Sequence, residues 1–218
     1  MLSRLKHTLL FVMLTAFLGG FAGGAAAADS PVLDRVVDKR VLRVGMSGSQ
    51  PPFNVKSRSG SIIGIEVDLA TAIAAGLRVE LEIVQKPFGE LLGELDAGRV
   101  DMVMSGMAVT PERSQNVSFV GPYLMSGKSI LTKSSTLAAV GDTGEINSAD
   151  VTLAALSNST SEMFAKRALP EAKLVAVSDY DEAIKLLTED KVDAVVADMP
   201  ICALSIMRFP DAGFATLK

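Results

Sequence analysis

The chain has 218 residues, 49% of them hydrophobic and 21% charged, which is the composition of a folded globular protein and not of a disordered one. Acidic residues outnumber basic ones, and the formal charge of −4 at pH 7 argues against nucleic acid and anionic membrane as partners. Cys202 is the single cysteine, which excludes an internal disulfide, and the single histidine is His7, close to the N-terminus.

The N-terminal segment places Arg4 and Lys6 before the apolar run LLFVMLTAFLGG, and AGGAAAADS then supplies small residues for a cleavage site. Residues 1–28 therefore read as a secretory signal peptide, and a periplasmic location follows from it. The run is short and ends in glycines, which disfavours an uncleaved anchor, and it holds no cysteine for a lipid. Cleavage removes two basic residues and no acidic one, so the mature chain is more acidic still. It also removes His7, which leaves no Ser-His or Cys-His nucleophile pair and no His-ligated zinc. No metal or cofactor site is expected.

Beyond the cleavage region, VLRVGM (41–46) predicts a buried strand, because β-branched and apolar residues dominate it and SGSQPP ends it. In GIEVDLATAIAAGL, Ile65, Leu69, Ile73 and Leu77 recur at steps of four and predict one apolar helix face, with the helix ending near Gly76. RVELEIV predicts a strand, Phe88, Leu91, Leu92 and Leu95 mark another helix, and RVDMVMS another strand. Strands alternating with helices predict a parallel sheet covered by helices.

The pattern then repeats. Laying PFGELLGELDAGRVDMVMSG on DYDEAIKLLTEDKVDAVVAD matches Phe88 with Tyr180, Leu92 with Ile184, Leu95 with Leu187 and Val100-Asp101 with Val192-Asp193, without a gap. The same offset lays the 65–77 helix over STSEMFAKRALP and LEIV over KLVAV, while VLRVGM finds its counterpart in VTLAAL. Two similar α/β lobes follow: residues 29–128 as lobe one, 129–132 as a hinge crossover, 133–211 as lobe two, and 212–218 as the start of a second crossover.

In open parallel sheets ligands collect at the carboxyl ends of strands, which the repeat locates at Ser105-Gly106 and Ala197-Asp198. Lobe one continues into Thr110-Pro111-Glu112-Arg113, an N-cap followed by a favoured first helical residue. That alone explains a capped short helix with a solvated arginine. One turn beyond a strand's carboxyl end, however, the Arg113 guanidinium can reach a cleft and bind a carboxylate bidentately. In lobe two, Ser159 and Glu162 fit a capping box, and the same helix start offers free N–H groups to an anion, with Thr160 assigned to the ligand. Asp198 precedes Met199-Pro200 and fits an N-cap; opposite an arginine, its carboxylate also suits the ammonium of a zwitterion. Phe88 opens its helix near the cleft and is favoured over Phe53 for paving a pocket; Cys202, Met102 and Met104 read as packing.

These residues resemble a known family. GIEVDLATAIAAGL is similar to the signature of the family-3 periplasmic solute-binding proteins, and DMVMSGMAVTPER, FVGPYLMSGKSIL and VDAVVADMP resemble its later motifs in order. The resemblance implies an α/β, two-lobed type II periplasmic binding protein fold, with parallel-sheet lobes and a cleft between them. It implies a monomeric binder, without catalysis, that closes on an amino acid or similar solute and delivers it to the membrane subunits of an ABC permease. By the same resemblance Arg113 grips the ligand carboxylate, Asp198 takes the ammonium, Thr160 adds a carboxylate contact beside Ser159, and Gly106 and Ala108 offer backbone groups. Ser47, Gln50 and Phe88 fall where the ligand side chain is read. Two departures make the site less polar: Ala108 stands where a hydroxyl is common, and Ser47 where some members place an acid. A third is that the chain stops at GFATLK, where the family continues for a few dozen residues; a C-terminal truncation is expected. The competing expectations are a dehydratase-like enzyme on this scaffold, with Glu162 or Asp198 as general acid, and the sensing domain of a receptor.

Overall fold

The computed structural model describes residues 30–139 and 146–217, so the expected signal peptide lies outside the described residues. Helix α1 (Pro31–Lys39) leads into β1 (Val41–Met46), the central strand of a parallel three-stranded sheet of order β5-β1-β6. Its neighbours are β5 (Glu80–Gln85), in register from Val41 opposite Glu80, and β6 (Met102–Val103). Between β1 and β5 lie a small antiparallel sheet of β2 (Ser49–Gln50), β3 (Asn54–Lys56) and β4 (Ile62–Ile63), and helix α2 (Ile65–Leu77). A 3-10 turn, Phe88–Glu90, runs directly into α3 (Leu91–Asp96).

The second half contains β7 (Lys128–Thr132), α4 (Ser135–Ala138), β8 (Thr152–Leu156), α5 (Thr160–Ala168), β9 (Lys173–Val177), α6 (Tyr180–Thr188), β10 (Ala194–Asp198), α7 (Met199–Arg208) and β11 (Ala215–Thr216). Its five-stranded sheet has the order β11-β7-β10-β8-β9. Within it, β9, β8 and β10 are parallel, whereas β7 runs antiparallel to β10 and β11 antiparallel to β7. The trio β9-β8-β10 thus reproduces β5-β1-β6, strand for strand, as the internal repeat predicts.

One expectation needs correction. The buried face of α2 is Glu66, Ala70 and Ala74, one position along from the predicted face; Ile65 is 49% exposed and Ile73 39%. The small alanines let the helix approach the sheet closely, and Leu69 and Leu77 flank that contact half-buried. The helix ends at Leu77, beside the expected Gly76, with Arg78 in the left-handed conformation as its C-cap. Residues 129–132, the expected crossover, lie in strand β7, where Ile130 and Leu131 point into separate apolar clusters on its two faces.

Apolar packing also joins the two halves. Phe53, Phe88 and Leu91 belong to the same buried cluster as Leu156, Tyr180 and Ile201. Among the described residues, no helix is long and apolar enough to cross a membrane.

Candidate functional site

The segment after β6 positions Arg113. Thr110 Oγ1 accepts the Arg113 N–H at 3.2 Å, as an N-cap should, although the predicted short helix is only a turn followed by the 3-10 segment Arg113–Gln115. The guanidinium turns inward: Nη1 donates to the Ala108 carbonyl at 2.8 Å and Nη2 to the Asn158 carbonyl at 2.9 Å, which belongs to the second half. It also lies 5.6 Å from the centre of the Phe88 ring. Burial pushes its pKa down, though a guanidinium stays charged. Both of these acceptors are neutral carbonyls, so within the described residues this partly desolvated cation has no hydrogen-bonded carboxylate. A charge in that condition favours an incoming anion.

Behind Arg113, the carboxyl ends of β1 and β6 are locked by a buried polar network. The Ser47 N–H donates to Ser105 Oγ at 3.0 Å, and Gln50 Nε2 donates to Ser105 Oγ at 3.1 Å and Ser47 Oγ at 3.3 Å as well as to the Ser105 carbonyl. Asn54 Oδ1 accepts from the Gly48 N–H at 2.6 Å and from Ser47 Oγ at 3.2 Å. Ser47 and Gln50, expected to read the ligand side chain, are 5% and 2% exposed and spend these polar atoms on the framework.

Glu66 completes that network from α2. It accepts from the Gly106 N–H at 2.6 Å, from the Tyr123 hydroxyl and from Asn54 Nδ2. Burial pushes its carboxyl upward, opposed by those three donors, and burial together with the Glu66 charge pushes the Tyr123 phenol upward. The Gly106 N–H is therefore already taken, and its carbonyl is the backbone group left for a ligand. Gly106 sits at φ +57, and a Cβ there would come within 2.8 Å of Gln50 Oε1, which explains the glycine.

In the second half, Ser159 caps α5: its Oγ accepts the N–H groups of Ser161 at 3.1 Å and Glu162 at 3.2 Å. Glu162 reaches back to the Asn158 N–H at 2.7 Å and takes Lys166 Nζ at 2.7 Å on its other oxygen. Burial alone would raise the Glu162 carboxyl, but Lys166 and that N–H hold it below its usual value. Thr160 stands half-buried at the first position of the helix. Asp198 occupies the N-cap position of α7 without capping it; its Oδ1 takes Lys128 Nζ at 2.8 Å instead. Tyr180, matched to Phe88 by the repeat, is buried in the shared cluster, and burial first, with the Asp198 charge added, pushes its phenol upward. The Cys202 thiol is buried and pushed up to about 11 by burial, in keeping with a packing role.

Phe88, Ala108, Arg113 and Asn158, the residue preceding Ser159, thus converge, and Ser47, Gln50 and Gly106 brace them from behind. Asp198 pairs within its own sheet. Sequence reasoning passed over Glu66, Tyr123, Lys128 and Asn158. Glu66 lies inside the quoted GIEVDLATAIAAGL stretch, and Tyr123 and Lys128 inside FVGPYLMSGKSIL, but none was given a role there.

Comparison with known proteins bears on the same segments. The model of the bacterial extracellular solute-binding proteins, family 3, matches residues 42–166. ABC transporter arginine-binding protein 1 of Escherichia coli (strain K12) is 28% identical over 207 residues, covering 95% of this chain and 79% of that protein. Cyclohexadienyl dehydratase of Pseudomonas aeruginosa is 29% identical over 187 residues, covering 86% of this chain and 70% of the enzyme. Among solved structures, the ancestral amino acid-binding protein AncCDT-1, described as a precursor of cyclohexadienyl dehydratase, superposes with a TM-score of 0.79 at 33% identity, over 85% of this chain and 80% of that one. The arginine-bound form of truncated ArgBP from T. maritima gives 0.78 at 31% identity, over 84% of each chain. The architecture is the two-lobed type II periplasmic binding fold, with the two parallel trios as its lobes. With more than half of its length inside that family model, the chain belongs to family 3 of the bacterial extracellular solute-binding proteins.

Proposed function

We propose that this protein is the periplasmic substrate-binding component of an ABC transporter, a monomer that captures a carboxylate-bearing solute of the amino acid type by lobe closure and presents it to a permease. Residues 29–128 form one lobe and residues 133–211 the other, with 129–132 crossing between them. The observation that carries the reading is Arg113, a half-buried guanidinium bonded, among the described residues, only to the carbonyls of Ala108 and Asn158, on opposite halves of the chain. A ligand carboxylate replaces those neutral acceptors with a charged one and gains the Thr160 N–H and hydroxyl at the start of α5 as neighbours. Phe88, under the guanidinium, supplies the apolar wall.

The relatives support binding over catalysis, since arginine-, histidine- and cystine-binding proteins predominate among them and one dehydratase accompanies them. The state of Glu162 supports the same choice: both of its oxygens are engaged and its carboxyl is held low, the reverse of what a general acid needs.

Titration calorimetry of the mature chain against a panel of amino acids and small carboxylates tests the reading. Arg113→Ala should weaken binding by about 2–5 kcal/mol, on the order of 30-fold or more. An unchanged affinity in that variant, or a panel in which nothing binds, overturns it.

A further inference from the structure

Resting on that reading, we propose that Tyr123 is a positioning residue of the binding site, which acts through the buried Glu66 carboxylate to fix the Gly106 peptide beside Arg113. The strip Gly106-Met107-Ala108 is held at both ends. At its start the Gly106 N–H donates to Glu66 Oε1 at 2.6 Å, and at its end the Ala108 carbonyl accepts from Arg113 Nη1 at 2.8 Å. A ligand carboxylate that takes the guanidinium releases the second hold. In the loaded site the first hold alone then keeps the strip, and the Gly106 carbonyl with it, in place.

Tyr123 governs that first hold. Its hydroxyl donates to Oε1, the oxygen that also accepts the Gly106 N–H, whereas Asn54 Nδ2 donates to Oε2. The Asn54 amide is fixed in this sense, because its Oδ1 already accepts from the Gly48 N–H and Ser47 Oγ. With donors on both oxygens, the ionised carboxylate suits all three, and burial is what opposes it. Glu66 is faced by Asn54 from β3, Gly106 from the segment after β6 and Tyr123 from the segment leading into β7, and the phenol is the one titratable group of the three. Burial, with the Glu66 charge added, pushes that phenol upward and keeps it a donor. Tyr123→Phe keeps the half-exposed ring and removes only the hydroxyl. It strips one donor from Oε1, raises the Glu66 carboxyl further and opens that oxygen to a proton. An O–H on Oε1 then opposes the Gly106 N–H, donor against donor, and frees the peptide to turn.

The test compares the mature wild-type chain with Tyr123→Phe and Glu66→Gln at about pH 5.5 and about pH 7.5. Amide hydrogen exchange followed by NMR should show Gly106 protection about tenfold lower in Tyr123→Phe, with the larger loss at the acid pH. The Met104 N–H, bonded to the Gly45 carbonyl of β1, should keep its protection. Calorimetry with L-arginine, L-glutamine, L-glutamate and 2-oxoglutarate should show the tightest binder of the four weakened about tenfold by Tyr123→Phe, again more at the acid pH. In Glu66→Gln that pH step should vanish, because the group that carries it is gone. Equal loss of protection at Gly106 and Met104 means general loosening and overturns the inference, as does wild-type affinity in Tyr123→Phe at both pH values. The binding reading survives either result. If none of the four binds wild type, the binding reading falls and takes the inference with it. Should a variant fail to fold, wild type decides: the Gly106 amide shift has to follow the Glu66 carboxyl through an acid titration, and a flat Gly106 shift overturns the inference.

Discussion

Glu66 is fully buried, yet its carboxylate gathers donors from three distant places: the Gly106 backbone, the Asn54 amide and the Tyr123 hydroxyl. Burial dominates and raises its folded pKa above the unfolded value of about 4.3. A raised carboxyl contributes stability that is complete below about pH 4 and is lost as pH rises through the folded value. Glu66→Gln keeps the shape but sets an NH2 group against the donors of Asn54 or Gly106. The variant should be destabilised by about 1–3 kcal/mol. Urea unfolding across a pH series should show the gap to wild type widest near pH 4 and narrowing towards neutrality. A gap that widens as pH rises would mean that the three donors outweigh burial and stabilise the anion.

At the scale of elements, the start of α5 shows what a local code can carry. The Ser-x-x-Glu spacing announces a capping box, and Ser159 does cap Ser161 and Glu162, while Glu162 reaches one residue further back than the usual box, to Asn158. Ser159→Ala should cost about 1 kcal/mol in denaturant unfolding, and no loss would mean that other groups already satisfy those N–H donors. Strand β1 and the repeated strand-helix units were legible for a similar reason, because their periodicity is written in consecutive residues. The buried face of α2 was not, since the side chains that pack are alanines and a glutamate, and the large Ile65 and Ile73 point outward. Of the candidate site, Arg113 was readable from its place beyond a strand end and Phe88 from its place at the start of a helix, whereas the Ala108 backbone came only through the family resemblance. Lys128 and Glu66 were not, because each acquires its meaning from a partner on another element: Asp198 across the β7–β10 pairing, and Gly106 and Tyr123 across the fold.

For the whole molecule, the question is how two lobes of like topology come together. Their contact is narrow on the site side: Arg113 reaches the Asn158 carbonyl, and Gly89, beside Phe88, leaves so little room that a Cβ would stand 2.6 Å from Asn158 Nδ2. Alanine there is tolerable, because the obstructing atom is the far end of an exposed side chain that can turn aside. A large aromatic is not, since swinging Asn158 aside frees too little space. Gly89→Trp should hold the lobes apart, giving a larger radius of gyration by small-angle scattering and a smaller compaction on adding ligand. Affinity should fall at least tenfold, about 1.4 kcal/mol. Gly89 is exposed, so the unfolding free energy should move by less than about 1 kcal/mol, which separates a failure to close from a failure to fold. Unaltered scattering together with unaltered affinity would show that the approach of Gly89 to Asn158 has no part in closure.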